Sequence, residues 1–390
     1  MKRRIALGGL LRPLLSVLAG LLLAAILVQA SGYNAPAAFA ALWTGATGLR
    51  GGAASPSPTT LVFHLGGWQG ALNLFVLAQS LARVTPLLLT GLAVALGLRA
   101  GLFNIGAQGQ MTCGALAAAI VGQIGAAPAT GGPSLLKIGL VLLIGAAAGA
   151  LWGALPGLLK AARGVHEVLS TIMLNYIAAN IAGYLITHGL KDPHSMAAQT
   201  DRIALSTWLP PLVAGSNLTA GLFLALLAVL LYAFLMRRTA LGYEIRAVGQ
   251  GAEAARAAGI PVGRTLVTAL ALSGALAGLA GAIQVVGIHH RYLEGIEGTY
   301  GFDGIAVALL GNLQAGGVAA AALFFGALAN GAAFMQLQTD VPDSVAVVVQ
   351  AVVILFAGVR VARGWWARRR TPPTPVPVAA EERQPDYAPL

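Results

Sequence analysis

The sequence predicts an all-α integral membrane protein with about ten transmembrane helices. Three observations carry that prediction. Of 390 residues, 57% are hydrophobic and only 9% are charged, with a mean hydropathy of +0.78, whereas soluble domains carry about 25% charged residues. The apolar residues fall in stretches close to the roughly 20 residues that cross a bilayer as a helix. The basic residues, which give a net charge of +11, stand at the ends of those stretches. Scattered in that way they set membrane topology and form no patch for nucleic acid. The single cysteine, Cys113, lies in an apolar run, so neither a disulfide framework nor metal-ligand cysteine spacing is present.

Taken in order, residues 1–12 carry four basic residues ahead of an apolar run over 14–30. Val28-Gln29-Ala30 resembles a cleavage site, but the spans that follow favour an uncleaved first helix with a cytoplasmic N-terminus. Residues 31–67, rich in Gly, Pro, Ser and Thr, read as an outside loop, with Trp68 at the interface. This first helix and loop make an N-terminal unit over 1–70, followed by a transmembrane domain over 71–360. A short helix over 72–82 precedes a second span that starts near Pro86. The third, fourth and fifth spans cover 101–122, 135–159 and 165–187, and a polar outside loop covers 189–216. The sixth span, 217–236, leads into a cytoplasmic segment, 237–264. The seventh span ends near Gly287, before an outside stretch with His289, His290, Arg291, Glu294 and Glu297. Spans over 302–313, 318–337 and 344–359 complete the set, and the basic, Pro-rich tail 361–390 is expected to be disordered.

The distribution of Lys and Arg checks this threading. Six of the 24 fall outside (Arg50, Arg83, Lys137, Lys191, Arg202 and Arg291) and the other 18 inside. That threefold bias is what the positive-inside rule demands with both termini cytoplasmic.

The stretch from Arg99 to Ala115 reads R-A-G-L-F-N-I-G-A-Q-G-Q-M-T-C-G-A. It places Asn104, Gln108 and Gln110 in or beside the hydrocarbon, where an unsatisfied polar group costs several kcal/mol. Gly101, Gly106, Gly109 and Gly114 permit a broken helix and close backbone approach. Three amides and four glycines exceed what helix packing needs, so these residues read as the lining of a solute pathway. Gly101-Leu-Phe-Asn-Ile-Gly-Ala has an echo in Gly301-Phe-Asp-Gly-Ile-Ala-Val, each glycine-bounded with one polar residue, Asn104 or Asp303. On this threading the two segments run in opposite directions, as in an inverted repeat. No carboxylate stands deep in a span, unlike most ion-coupled carriers, and His166-Glu167 reads as a helix-end charge pair.

The second informative stretch is cytoplasmic. Residues 252–258 form a short helix rich in alanine, stopped by Gly259 and Pro261. Its charges, with Arg246 before it and Glu253 and Arg256 within, leave Ala254, Ala255 and their neighbours as an apolar face that can dock in a groove of another protein.

Four segments together resemble the permease subunits of ATP-binding-cassette (ABC) importers of the branched-chain-amino-acid and ribose type, and most closely those for nucleosides or simple sugars. They are Pro86 through Gln110, with Asn-Ile-Gly-x-x-Gly-Gln; Glu167 through Tyr176, with Thr-Ile-Met-Leu-Asn-Tyr; Gly242 to Ile260; and Gly301 to Gly311. His166 departs from the small amide expected at that position. The resemblance implies two inverted-repeat halves and a bacterial cell-membrane location. It also implies a second permease subunit, a cytoplasmic ABC ATPase and an extracytoplasmic solute-binding lipoprotein as partners.

Under this resemblance Glu253-Ala254-Ala255 and Gly259, flanked by Arg246 and Arg256, form the ATPase-coupling element. Asn104, Gln108 and Gln110, with Asn175 and Asp303 as further contributors, line the path of a neutral polar solute, a nucleoside before a simple sugar. The chain contains no G-x-x-x-x-G-K-[ST] loop, so it is expected to be no enzyme and to bind no cofactor, ATP and Mg being held by the partner ATPase. An ion-coupled secondary carrier is the rival class and has no need of a coupling helix.

Overall fold

The computed structural model describes residues 18–51, 59–65, 68–124, 132–339, 341–342, 347–348 and 351–352. Among them, helices α1 (Leu18–Ala30), α2 (Ala35–Thr47), α3 (Leu74–Arg99), α4 (Ala107–Gln123), α5 (Leu135–Arg163) and α6 (Glu167–Leu185) make the first part of the chain. The second part holds α7 (Gly221–Arg238), α8 (Ala240–Gln250), α9 (Ala252–Ala257), α10 (Val262–Gln284), α11 (Tyr300–Leu310) and α12 (Ala315–Gln338). Six helices are long and apolar enough to cross a bilayer, and α1 and α11 are shorter apolar helices. The expected tenth span and the tail lie almost wholly outside the described residues, as does the start of the first span.

Three local expectations are corrected. The region 31–67 is no plain loop. Asn34 caps α2 by accepting from Ala37 N at 3.1 Å. Strands β1 (Leu49–Gly51), β2 (Thr60–Leu65) and β3 (Trp68–Asn73) then form an antiparallel sheet in the order β1-β3-β2. The helix does not restart at Pro86 either. α3 begins at Leu74, where Asn73 Oδ1 accepts from Phe75 N and Val76 N, and it runs unbroken through the proline. The third span is a half-helix, because residues 101–106 are irregular and α4 begins at Ala107. Gly101 opens that break in the left-handed region (φ +76°), which glycine adopts at no steric cost.

The core is built on glycine. Gly149 of α5 faces Gly274 and Gly278 of α10 so closely that a Cβ on Gly149 would stand 2.6 Å from Gly278 Cα. Gly114 of α4 meets the Gly278 backbone, and Gly281 of α10 meets Met111 and Ala115. Since lipid is as apolar as leucine, helices in a membrane associate through such close packing and through interhelical hydrogen bonds. The outward faces carry exposed apolar side chains such as Leu136, Leu151, Tyr176, Leu230 and Phe234.

The helices pack as two interlocked halves. α3 packs on α11 and α12, and α10 packs correspondingly on α4 and α5. Within each half the short helix packs on the long one that follows it, α4 on α5 and α11 on α12. α3 and α10 cross in opposite directions: Arg83 shares a cavity with Gln284 and His289, and Ser273 Oγ donates to Ala93 O at 2.6 Å. This opposed, matching arrangement agrees with the inverted repeat expected from the sequence. The segments read as outside gather at one end, where Arg291 meets Asp192 at 3.3 Å, Ile203 N bonds His290 O and Ser134 N bonds Ser206 O. Those read as cytoplasmic meet at the other, where Arg99 donates to Leu313 O and Lys160 stands 2.9 Å from Glu167.

A Gly149→Val substitution is expected to cost more than about 3 kcal/mol, the upper part of the overpacking range, because the colliding atoms are backbone. Gly139→Val, where a Cβ would meet nothing within 4 Å, is the control. Thermal denaturation of both variants in detergent checks the difference.

Candidate functional site

The amides of the broken helix fall into two groups. Asn104 and Gln110 are each 1% exposed and face each other. Asn104 Nδ2 donates to Gln110 Oε1 (3.1 Å) and Ser273 Oγ (2.8 Å), while Asn104 Oδ1 accepts from Gly106 N (2.8 Å) and Gln110 Nε2 (3.3 Å). With the Ser273 bond to Ala93 O, this node joins the break, α4, α10 and α3. Asn175, on α6, accepts from Gly109 N at 2.8 Å and donates to Ile105 O at 3.0 Å. In this conformation all three amides are bonded inside the protein.

Gln108 is different. It is half-buried and bridges the two halves: Nε2 donates to Gly298 O (2.6 Å) and Oε1 accepts from Gly301 N (3.0 Å). The N-terminal ends of α4 and α11 therefore meet at one side chain. Asp303, one turn into α11 and also half-buried, accepts from Thr299 Oγ1 at 2.7 Å. Of the five residues read as pathway lining, these two remain partly accessible.

The loop between α10 and α11 holds groups the sequence left unassigned. Glu297, in the stretch read as outside, is 9% exposed, with no hydrogen-bond partner for Oε2. Burial raises its pKa. His290, at φ +56°, stacks on Trp208 with ring centroids 3.6 Å apart. Burial, then the nearby Arg202 charge, pushes its pKa down to about 4. Ser273 carries no sequence signal of its own, since it is a lone serine in an apolar helix.

At the opposite end, α9 closes with a Schellman turn. Ile260 N bonds Ala255 O, Gly259 N bonds Arg256 O, and Gly259 has φ +82°. Ala255 packs inward with Val248 and Val262, whereas Glu253, Ala254, Arg256 and Gly259 are exposed. Arg256 bonds both oxygens of Glu253 at 2.9 Å. Arg246, on α8, is half-buried and lines a cavity of about 300 Å³ with Arg99 and Arg237. The end of α8 touches the broken helix directly: a Cβ on Gly249 would stand 2.9 Å from Gly101 N, next to the Arg99 carbonyl. No group of three or more His, Cys, Asp or Glu able to hold a metal occurs among the described residues.

Comparison with known proteins gives a consistent result. A family model described as the permease component of the branched-chain amino acid transport system matches residues 76–358. The guanosine ABC transporter permease protein NupP of Bacillus subtilis is 37% identical over 90% of this chain and 93% of its own. The nucleoside permease protein NupB of Lactococcus lactis is 34% identical over 89% and 90%. The glucose ABC transporter permease protein TsgB13 of Haloferax volcanii is 36% identical over 72% and 76%. No solved structure matches.

Asn175→Ala leaves Gly109 N–H and Ile105 C=O unpaired, at an expected cost of about 1–3 kcal/mol for each group; a lowered thermal midpoint checks it. His290 folds with its pKa below the ordinary value of 6.5. Its contribution to stability is therefore complete above pH 6.5 and is lost as pH falls toward 4. Glu297, whose pKa is raised, contributes with the opposite slope. Thermal melts between pH 7 and pH 4 are expected to show a shallower acid loss in His290→Phe than in the native chain.

Proposed function

The chain belongs to the family of branched-chain-amino-acid-type transport permeases, and from that premise we propose that it is the membrane-spanning subunit of an ATP-driven importer of nucleosides. It pairs with a second permease subunit, a cytoplasmic ABC ATPase that holds ATP and Mg, and an extracytoplasmic solute-binding lipoprotein. It lies in the bacterial cell membrane with both termini cytoplasmic, and its transmembrane domain over 71–360 carries the transport function. The chain itself holds no cofactor and catalyses no reaction.

One observation carries the mechanism: Gly249, at the end of the segment that leads to α9, touches Gly101, which opens the broken helix. A push on the exposed Glu253-Ala254 face by a closing ATPase passes to α8, on which α9 is seated by the packing of Ala255 against Val248, and from α8 to the break. The break is rigid because the Asn104–Gln110–Ser273 node is complete. The displacement therefore moves the start of α4, and with it Gln108, against Gly298 and Gly301 of the other half. Exchange of those two hydrogen bonds with a passing solute alternates access by rigid-body motion. Gln108 and Asp303 present the accessible polar groups, and Asn104, Gln110 and Asn175 hold them in place. Amide groups suit a neutral solute that must bind weakly enough to leave.

Guanosine and nucleoside permeases among the relatives support the nucleoside reading. A glucose permease that is 36% identical keeps simple sugars as the second reading.

The test is radiolabelled guanosine uptake by vesicles carrying the complete complex, with and without ATP on the nucleotide-binding side. ATP-dependent accumulation that other nucleosides compete and glucose does not is the expected result. Accumulation indifferent to ATP and abolished by an ionophore overturns the reading. Gln108→Ala is expected to lower the rate at least about tenfold, as the loss of a bidentate contact that changes during transport would do.

A further inference from the structure

A cavity of about 330 Å³ opens at the end of the molecule that holds the α10–α11 loop. Five segments line it: the first half of α3 (Gln79, Ala82, Arg83), the turn at Asn217, the end of α10 with its π-helical continuation Val285–His289, the loop at Glu294 to Ile296, and Tyr300. Its size stands at the lower end of small-molecule sites, which span roughly 300–1,000 Å³.

Four features point to a cavity built for a partner. Gln284 is 3% exposed, lines the cavity and has no hydrogen-bond partner for Oε1. A buried carbonyl oxygen left in that state carries a desolvation cost that a ligand's donor would remove. Ala82 O cannot receive the helical bond from residue 86, which is proline and has no N–H. Arg83 lines the same space, and none of the ion pairs among the described residues includes it. The wall itself includes a π-helical turn, a form that appears mostly at functional sites.

We infer that this cavity is the entry site at which the permease receives its solute, a neutral molecule with hydrogen-bond donors and acceptors side by side, best met by a purine nucleoside. Gln284 Oε1 accepts from a base N–H group. The Arg83 fork donates to adjacent acceptors such as O6 and N7 of guanine, and Gln79 and Tyr300 serve the ribose hydroxyls. A zwitterionic amino acid would offer its carboxylate to Arg83 but leave the neutral groups unused. The loop that lines the cavity at Glu294 to Ile296 is the one that Gln108 bonds at Gly298, so a solute seated here touches the element that must move.

This inference rests on the importer reading, and its test separates the two. The complete transporter is reconstituted with Asn217→Cys at the exposed rim, and labelling of the introduced thiol by a membrane-impermeant maleimide is timed. The chain without that substitution gives the background from Cys113. Guanosine at millimolar concentration is expected to slow labelling at least about threefold. Adding Gln284→Leu, or Arg83→Gln if the first variant fails to assemble, is expected to abolish that protection. Protection by leucine but not guanosine overturns the assigned solute class. Unchanged labelling in a preparation that does accumulate guanosine with ATP overturns the cavity and leaves the importer standing. If the preparation accumulates glucose instead, the nucleoside assignment falls and glucose protection then decides the cavity. ATP-driven uptake of neither solute overturns both readings.

Discussion

The close backbone approach of α4, α5 and α10 through Gly114, Gly149, Gly274, Gly278 and Gly281 is the constraint on which the rest of the molecule depends. No gain from moving leucine out of lipid is available to drive these helices together, so dispersion between well-fitted surfaces must supply the attraction. Larger side chains would hold the axes apart and open voids at every level of the stack. With the backbones in contact, little room remains for water, and each polar group caught between them must find a partner in the protein.

The amide node is the consequence. Asn104 and Gln110 exchange two hydrogen bonds and pass a third to Ser273, which reaches back to the α3 backbone. Each bond would be worth little in water, but breaking one here strands a desolvated group. The node therefore turns an irregular segment, Gly101 to Gly106, into a fixed part of the frame. Rigidity on both sides is what makes Gln108 important: it is the point where two rigid halves touch through hydrogen bonds that solvent or solute can replace.

The general plan was legible because membrane chemistry writes it in coarse letters. Apolar stretches of span length gave the helices, and Gly101 with Gly106 foretold the broken one. The echo at Gly301 foretold the second half. Elements at the start of the chain were harder to read. Asn34 and Pro36 mark the start of α2, and Asn73 marks α3, but both cap signals lie in a region whose Gly, Ser and Thr content reads as loop. β2 is one short run, Thr60–Leu65, too brief for its alternation to stand out. Pro86 misled because its helix is held by packing on three neighbours, α10, α11 and α12, which outweighs the lost hydrogen bond. Within the site, residue type alone did not separate the three amides that the fold consumes from Gln108. That difference lies in which way each side chain faces across helices far apart in sequence. Gln284 and Glu297 gave no signal at all, since burial of one carbonyl or one carboxylate is a property of the assembled end.

The distribution of incomplete polar groups then locates where the molecule changes shape. Of the four buried side-chain atoms without a hydrogen bond among the described residues, Glu167 Oε2 stands at ion-pair distance from Lys160. The other three, Gln284 Oε1, His290 Nδ1 and Glu297 Oε2, lie within fourteen residues around the loop that Gln108 clamps. No other buried side-chain nitrogen or oxygen among the described residues lacks a partner. A ligand shifts a conformational equilibrium only by the difference in its affinity for the two states, and a loop with unmet hydrogen-bonding capacity offers the largest such difference. A motion that repaired those groups would be opposed by the Gln108 clamp and favoured by whatever occupies the adjacent cavity. The balance between that clamp and those unmet groups, set on a frame that glycine packing makes stiff, is what lets a force at α9 and a solute at the far end act on the same few hydrogen bonds.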